Sequence, residues 1–285
     1  MDLESLAIKI TRNENLGALS PVIRKIVKLA PDPMVGAKAL ESALNSEPGL
    51  TAKVLKAANS SYYALKSPAN TVGSAVLVLG MRTVQALVLS VAYQQGLQGA
   101  SPAPNFNRLR FWQHSIATAM AARKLAQAKG YRDPDEHYTI GMLHEIGMLA
   151  LEKYCAKEWD RALGGAARSN LPLNLVEEQL LGFSHRNVSS VVLEKWGMDA
   201  RIVACALHIH APPLQNEHAE SIALLSVADL VACHAGFGNQ AQSTPPEFDP
   251  IVLDLLGVEE AIIEKAIESL PADVQRAQES FRIAA

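Results

Sequence analysis

Apolar residues in this chain recur at intervals of three and four along most of its length, and nowhere do they alternate. That spacing marks one face of an α-helix, whereas a half-buried strand would need a period of two. In "GLTAKVLKAANSSYYAL", Leu50, Val54, Leu55 and Ala58 share such a face, with Ser46 placed to cap its start. "TVGSAVLVLG" and "MRTVQALVLSVAYQQG" predict two buried helices meeting near Gly80. Past a linker-like stretch, "QGLQGASPAPNFN", an Ala-rich helix runs through "FWQHSIATAMAARKLAQAKG" and ends at Gly130. "RDPDEHYTIGMLHEIGMLALEKYC" opens on a turn with acidic residues and becomes apolar on nearly every side. "LPLNLVEEQLLGFSHRNVSSVVLEKWG" reads as two helices broken at Gly182, the second capped by Ser184. "DARIVACALHIHAPP" is a helix halted by prolines, "EHAESIALLSVADLVACHAG" is another, and "FGNQAQSTPPEFDP" is a loop before two more helices. The expected fold is all-α: a two-lobed helical bundle, with residues 1–104 packed on a helical domain of residues 105–285.

Composition removes several classes of function. The chain is 49% hydrophobic and 19% charged, as a globular protein should be, with a net charge of −3 and no basic block. Nucleic acid is therefore not expected as the main partner, since phosphate binding wants clustered positive charge. "AVLVLGMRTVQAL" could place two helices around a glycine turn, but its second helix is too apolar to read DNA and belongs in a core. Cys155, Cys205 and Cys233 are odd in number and widely spaced, which indicates reduced thiols rather than a disulfide frame or a structural zinc site. The start of the chain lacks a signal-peptide pattern, and the most apolar stretch, "SAVLVLGMRTVQALVLSVAY", carries Arg82 and Gln85 in its middle. No membrane is expected, and the location is expected to be cytoplasmic.

One segment breaks the apolar pattern. Within "GMLHEIGML", residues 141–149, His144 and Glu145 are the only strongly polar side chains of a long oily run. A buried carboxylate needs a partner, because leaving it unpaired costs several kcal/mol. Candidates are a cation, a histidinium or a network of donors, unless the side chain lies on a solvated helix edge. On one continuous helix, neighbouring residues diverge by about 100°. A single ion would then take both His144 and Glu145 only from the helix edge between them.

All eight histidines lie at or beyond residue 114. Any one alone is more often a hydrogen-bonded structural group than a ligand. Together, His114, His144, His185, His208 and His210 fall on several helices, and Asp229 interrupts an apolar helix as Glu145 does. Such groups can converge on one cation in a bundle, or form a His–carboxylate network without metal. "HEIGM" lacks the second histidine of a zincin helix, and no phosphate-binding glycine loop, nucleophile elbow or dinucleotide fingerprint occurs.

In this order, these residues resemble the HD superfamily of metal-dependent phosphohydrolases, whose pattern is a histidine, a His-Asp pair, further histidines and a final aspartate. "WQHSIATAMAARKLA", "TIGMLHEIGMLAL", "LLGFSHRNVSSVVLEKWG" and "ALHIHAPP" are similar to the HDOD branch, the HD-related output domains of bacterial signalling proteins. "SEPGLTAKVLKAANSSYYALKSPANTVGSAVLVLGMRTVQAL" resembles that family's "DP-x-L" helix, "NS-x-x-Y" turn and "A-x-x-x-LG-x-R" segment. The likeness runs from about Leu16 to about Asp229. It implies a metal site at His114, His144, Glu145, His185, His210 and Asp229, with Mn, Fe or Zn as the divalent metal to test and no other cofactor. It implies no catalytic residue beyond these ligands.

The departures point away from hydrolysis. Glu145 stands where the family has aspartate, one methylene further out. Met148 stands where catalytic relatives often carry a lysine, and a thioether cannot steady a phosphate. Ile209 replaces a paired histidine, and the Gly-Tyr-Pro motif of cyclic-di-GMP phosphodiesterases is absent after "HIHAPP". The resemblance thus implies a regulatory output module acting through a signalling protein partner. Self-association through the apolar helices of residues 74–93 stays open, and a metal-dependent phosphohydrolase acting on a nucleotide or phosphoester is the alternative.

Overall fold

The computed structural model describes residues 2–12, 26, 33–45, 48–60, 63–96, 101–239 and 245–281, and no strand occurs among them. In chain order the helices are α1 (Leu3–Arg12), α2 (Pro33–Asn45), α3 (Pro48–Ala58), α4 (Val72–Leu79), α5 (Met81–Gly96), α6 (Arg108–Ala128) and α7 (Pro134–Leu143). There follow α8 (Ile146–Tyr154), α9 (Ala156–Ser169), α10 (Leu173–Leu181), α11 (His185–Lys195), α12 (Ala200–His208) and α13 (Ala219–Ala232). A π-helical turn over Cys233–Phe237 leads to α14 (Pro250–Leu256) and α15 (Glu260–Phe281). The fold is all-α, as the periodicity predicts.

The expected breaks fall where the backbone chemistry puts them. Gly80, Gly130 and Gly182 all adopt positive φ (86°, 73° and 81°), the conformation that ends a helix without a Cβ penalty. Asn187 Oδ1 accepts from the Ser184 backbone N–H at 3.0 Å, closing the cap of α11. Ser46 and part of the stretch near residue 100 lie outside the described residues, as do residues 240–244 of the expected loop.

α6 is the hub. Residues from Phe111 to Ala122 are buried along it with the sole interruption of Gln113, and α7, α13 and α15 pack around it. Its alanines let partners come close: a Cβ on Gly141 of α7 would fall 2.6 Å from the Ala119 Cα. α5 leans on α7 through polar contacts as well as core. Arg82 pairs with Asp133 at 3.1 Å, and Thr83 Oγ1 donates to Asp135 Oδ2 at 2.7 Å. Gln85 Nε2 donates to the Ile26 carbonyl at 2.9 Å. α1 returns to the far segment, resting on α11, where Lys195 Nζ donates to the Ile10 carbonyl.

Two sequence expectations need correction. α4 is not buried throughout: Leu77 is 88% and Val78 62% exposed. Eight residues cannot turn every apolar face to one core, and α2 and α5 cover only the side bearing Val72, Ala75 and Val76. Second, the helix carrying "GMLHEIGML" is not continuous. His144 and Glu145 form the turn between α7 and α8, with Glu145 at φ −106°, ψ 20°. Among the described residues, Ala219–Phe237 is long and apolar enough to cross a membrane, and it is largely buried inside the protein.

Candidate metal centre

Two glycines explain the break and what it positions. Gly141 lets α7 lie against the α6 backbone, and Gly147 lets α8 lie against α11. A Cβ on Gly147 would fall 2.1 Å from the His185 carbonyl oxygen and 2.5 Å from the Ser189 nitrogen. The Gly147 N–H instead donates to Ser189 Oγ at 2.9 Å. Between these two contacts the chain turns, and His144 and Glu145 face the same space rather than diverging.

His114, from the middle of α6, and Asp229, from α13, complete the group. His114 Nε2 lies 3.0 Å from Asp229 Oδ1 and 3.6 Å from Glu145 Oε2. His144 Nε2 lies 3.8 Å from Asp229 Oδ1 and 3.9 Å from Glu145 Oε2. The remaining ring nitrogens are held from behind. His114 Nδ1 pairs with the Phe237 carbonyl at 2.8 Å and His144 Nδ1 with the Gly141 carbonyl at 2.6 Å. Each Nδ1 therefore carries a proton, and each ring turns its Nε2 inward, as a lone pair whenever the ring is neutral.

The inward atoms fit a cation. His114 Nε2, His144 Nε2 and Glu145 Oε2 are all buried without a hydrogen-bond partner. Even the 3.0 Å approach of His114 to Asp229 lacks hydrogen-bond alignment. Atoms that converge without pointing at one another share a missing third partner, and orphaned buried groups of this kind otherwise carry a full desolvation cost. His114, His144 and Glu145 offer ligand atoms within 4.8 Å of one another, and so do His114, Asp229 and Cys233. A divalent ion held there would supply a Lewis acid and a water of lowered pKa.

The charges agree. Burial opposes protonation of His114, but the Glu145 charge and Asp229 outweigh it and lift the imidazole to about 9. Asp229 is opposed by burial too, yet His114 holds its carboxyl well below the usual range. Burial dominates at His144 and lowers it. Without a cation the cluster therefore keeps one proton on His114 between two carboxylates.

His185 and His210 stand beside this group. Both line a cavity of about 770 Å³ that Glu145 and Asp229 also line. His185 opens α11 as expected, but His210 lies two residues past the end of α12 in the following turn. His185 Nε2 is buried and unpartnered. The other histidines, His137, His208, His218 and His234, are not among the cavity-lining residues.

Sequence reading missed three residues that shape the site. Fully buried Glu177, on α10, accepts from both the His185 N–H at 2.8 Å and His185 Nδ1 at 2.6 Å. Its other oxygen takes the Trp159 indole N–H at 2.7 Å. Burial would lower His185, but Glu177 outweighs it and raises the imidazole. Asn239 Nδ2 donates to Glu145 Oε1. Cys233 follows Asp229 by four residues, which is the helical signal that could have found it. Glu177 sits in an ordinary amphipathic "NLVEEQLL" and gives no such signal.

Comparisons with known proteins agree with the fold. The chain superimposes on an HDOD domain protein of unknown function from Geobacter sulfurreducens with a TM-score of 0.79, at 22% identity over 98% of both chains. A provisionally described phosphohydrolase from Shewanella amazonensis SB2B gives 0.73 at 20% identity, over 96% of this chain and 97% of that one. A provisionally described signal transduction protein from Marinobacter aquaeolei VT8 gives 0.73 at 22% identity, over 98% of this chain and 64% of that one. An uncharacterized protein of Treponema pallidum is 20% identical over 221 residues, where the match spans 77% of this chain and 42% of the relative. At these identities the structural likenesses carry the fold alone. The HDOD domain model matches residues 16–212, well over half of the sequence and inclusive of every candidate ligand but Asp229 and Cys233. On that match, joined to the helical architecture and the histidine–carboxylate centre within it, the chain belongs to the HDOD family.

Proposed function

We propose that this protein is a regulatory module of signal transduction whose HD-type centre binds a divalent cation and a ligand without efficient hydrolysis. The observation that carries this reading is an intact ligand cluster under a cavity poor in phosphate-binding charge. Among the described residues, Arg186 is the only lysine or arginine lining the cavity, and it is paired with Glu178 at 2.9 Å. Met148, fully buried, lines the cavity at the position where catalytic relatives often carry a lysine. Glu145, Asp229, Glu247 and Asp249 line the same space, so a polyphosphate would meet more negative than positive charge. Occupancy would be felt by α6, the turn between α7 and α8, and α13, which carry the ligands. A signalling partner would read that state, and the exposed Leu77 and Val78 on α4 offer the 1–104 lobe an apolar contact for it.

The test is metal analysis of the chain purified without chelator, with hydrolysis of p-nitrophenyl phosphate and nucleotides assayed in Mn²⁺, Fe²⁺ and Zn²⁺. About one ion per chain with no metal-dependent turnover is expected. Robust turnover abolished by His144→Ala would overturn the reading.

The second reading is a metal-dependent phosphohydrolase, favoured by the near-complete ligand set. In it, His114, His144, Glu145 and Asp229 would hold the ion, and the buried, unpartnered Arg186 Nε would take a phosphate oxygen at the cavity wall. The same assay separates the two.

A further inference from the structure

We infer that Cys233 is a ligand of this centre, which makes it a thiolate site selective for Zn²⁺, Fe²⁺ or Co²⁺ over Mg²⁺ and Mn²⁺. The inference rests on the proposal that the cluster binds a cation, and it goes further by fixing the kind of ion. Cys233 lies beyond the residues matched by the family model, so the family pattern does not assign it.

Cys233 continues α13 in helical geometry, with φ −61° and ψ −48°. Four residues after Asp229, it projects from the same helix face. Its Sγ, a His114 ring nitrogen and an Asp229 oxygen all lie within 4.8 Å of one another. Ligand atoms around a tetrahedral zinc stand about 3.5 Å apart, so drawing the three onto one ion needs a contraction on the order of 1 Å. The second, independent observation is His114 itself: in a side chain only 1% exposed, its Nε2 makes no aligned hydrogen bond although the Asp229 and Glu145 carboxylates converge on it at 3.0 and 3.6 Å. Cys233 and Asp229 both line the cavity, which gives an ion a path to them.

The chemistry separates the metals. Carboxylate and water ligands suit Mg²⁺ and Mn²⁺, while a thiolate beside imidazoles favours Zn²⁺ and Fe²⁺. On binding, the Cys233 S–H bond breaks, its proton leaves to the buffer, and the sulfur lone pair binds the ion. Neither the sulfur nor the ion changes oxidation state. Cys155 and Cys205 are buried elsewhere and belong to neither ligand group, so they serve as internal controls.

Co²⁺ is the probe, titrated into the metal-stripped full chain. The expected result is visible ligand-field absorption at about one equivalent, with a near-ultraviolet thiolate-to-cobalt charge-transfer band. Cys233→Ser should lose the charge-transfer band, keep the visible absorption and bind at least tenfold more weakly. The Cys155→Ser/Cys205→Ser double variant, in which Cys233 is the only thiol, should keep the band, and it decides the matter if Cys233→Ser does not fold. In the wild type, a hundredfold excess of Mg²⁺ should leave the band in place, and Zn²⁺ should abolish it. Visible absorption without the charge-transfer band, or a band that survives Cys233→Ser, overturns the inference while leaving the cation site standing. No absorption change at all overturns the cation site and the inference with it.

Discussion

Replacing Gly147 with alanine tests the contact that sets the geometry of the centre. The new Cβ would meet the His185 carbonyl oxygen at 2.1 Å and the Ser189 nitrogen at 2.5 Å, where ordinary contact begins at 3.4 Å. Both obstacles are backbone atoms, so no rotamer relieves the clash, and α8 must retreat from α11 by more than 1 Å. Overpacking of this kind costs about 1–3 kcal/mol, and the upper end applies when neither neighbour can yield. Losing the Gly147 N–H bond to Ser189 adds about 1 kcal/mol. Alanine's better helix propensity returns about 1 kcal/mol, leaving a net loss of about 3 kcal/mol. Urea unfolding monitored by circular dichroism measures it. Gly49→Ala is the control: nothing lies within 4 Å of its Cβ, and the substitution falls in the first turn of α3. It should be neutral or stabilise by roughly 0.5 kcal/mol. The retreat also draws Glu145, two residues before Gly147, away from His114 and His144, so Co²⁺ affinity should drop at least tenfold in Gly147→Ala and stay unchanged in Gly49→Ala. A Gly147→Ala protein as stable as wild type, with unaltered Co²⁺ binding, would refute the argument that this contact shapes the site.

Other expectations concern charge. His114 rises from 6.5 to about 9 on folding, so its stabilisation is complete below pH 6.5 and fades as pH climbs through 9. That amounts to roughly 3 kcal/mol, visible as falling urea stability of the metal-free protein, and a flat profile over this window would count against the buried cluster. Glu145→Gln removes the largest influence that raises His114, so the imidazole resonance should titrate closer to the ordinary range by NMR. An unmoved titration would place the two groups further apart than 3.6 Å. In Glu177→Gln, the raised His185 titration should fall below the ordinary value, because burial then acts without its opposing carboxylate. The same variant should lose about 2 kcal/mol, since one oxygen of Glu177 serves two donors on His185. Unchanged titration would show that Glu177 does not hold that ring.

What could be read from the sequence follows from how local each signal is. The helix ends at Gly80, Gly130 and Gly182 are matters of backbone sterics within one turn, and the structure places them where the residues do. The convergence of His114, His144, Glu145 and Asp229 was suggested by polar residues interrupting apolar helices, since burial of such groups demands partners. Periodicity failed at His144 and Glu145. The local sequence reads as one helix, and the break comes from a contact between Gly147 and α11, some forty residues away in the chain.

Alone, then, the amino-acid sequence determined an all-helical chain of the HDOD family, the positions of its major turns and the list of groups that a cation could use. Tertiary structure decided which of those groups meet. It tied the Nδ1 atoms of His114 and His144 to carbonyls, set Glu177 behind His185 and brought the Cys233 thiol beside Asp229. The division has a physical cause. Helix formation and termination depend on neighbours a few residues apart, whereas a ligand cluster depends on how closely separate helices approach, and small residues at their crossings set that distance.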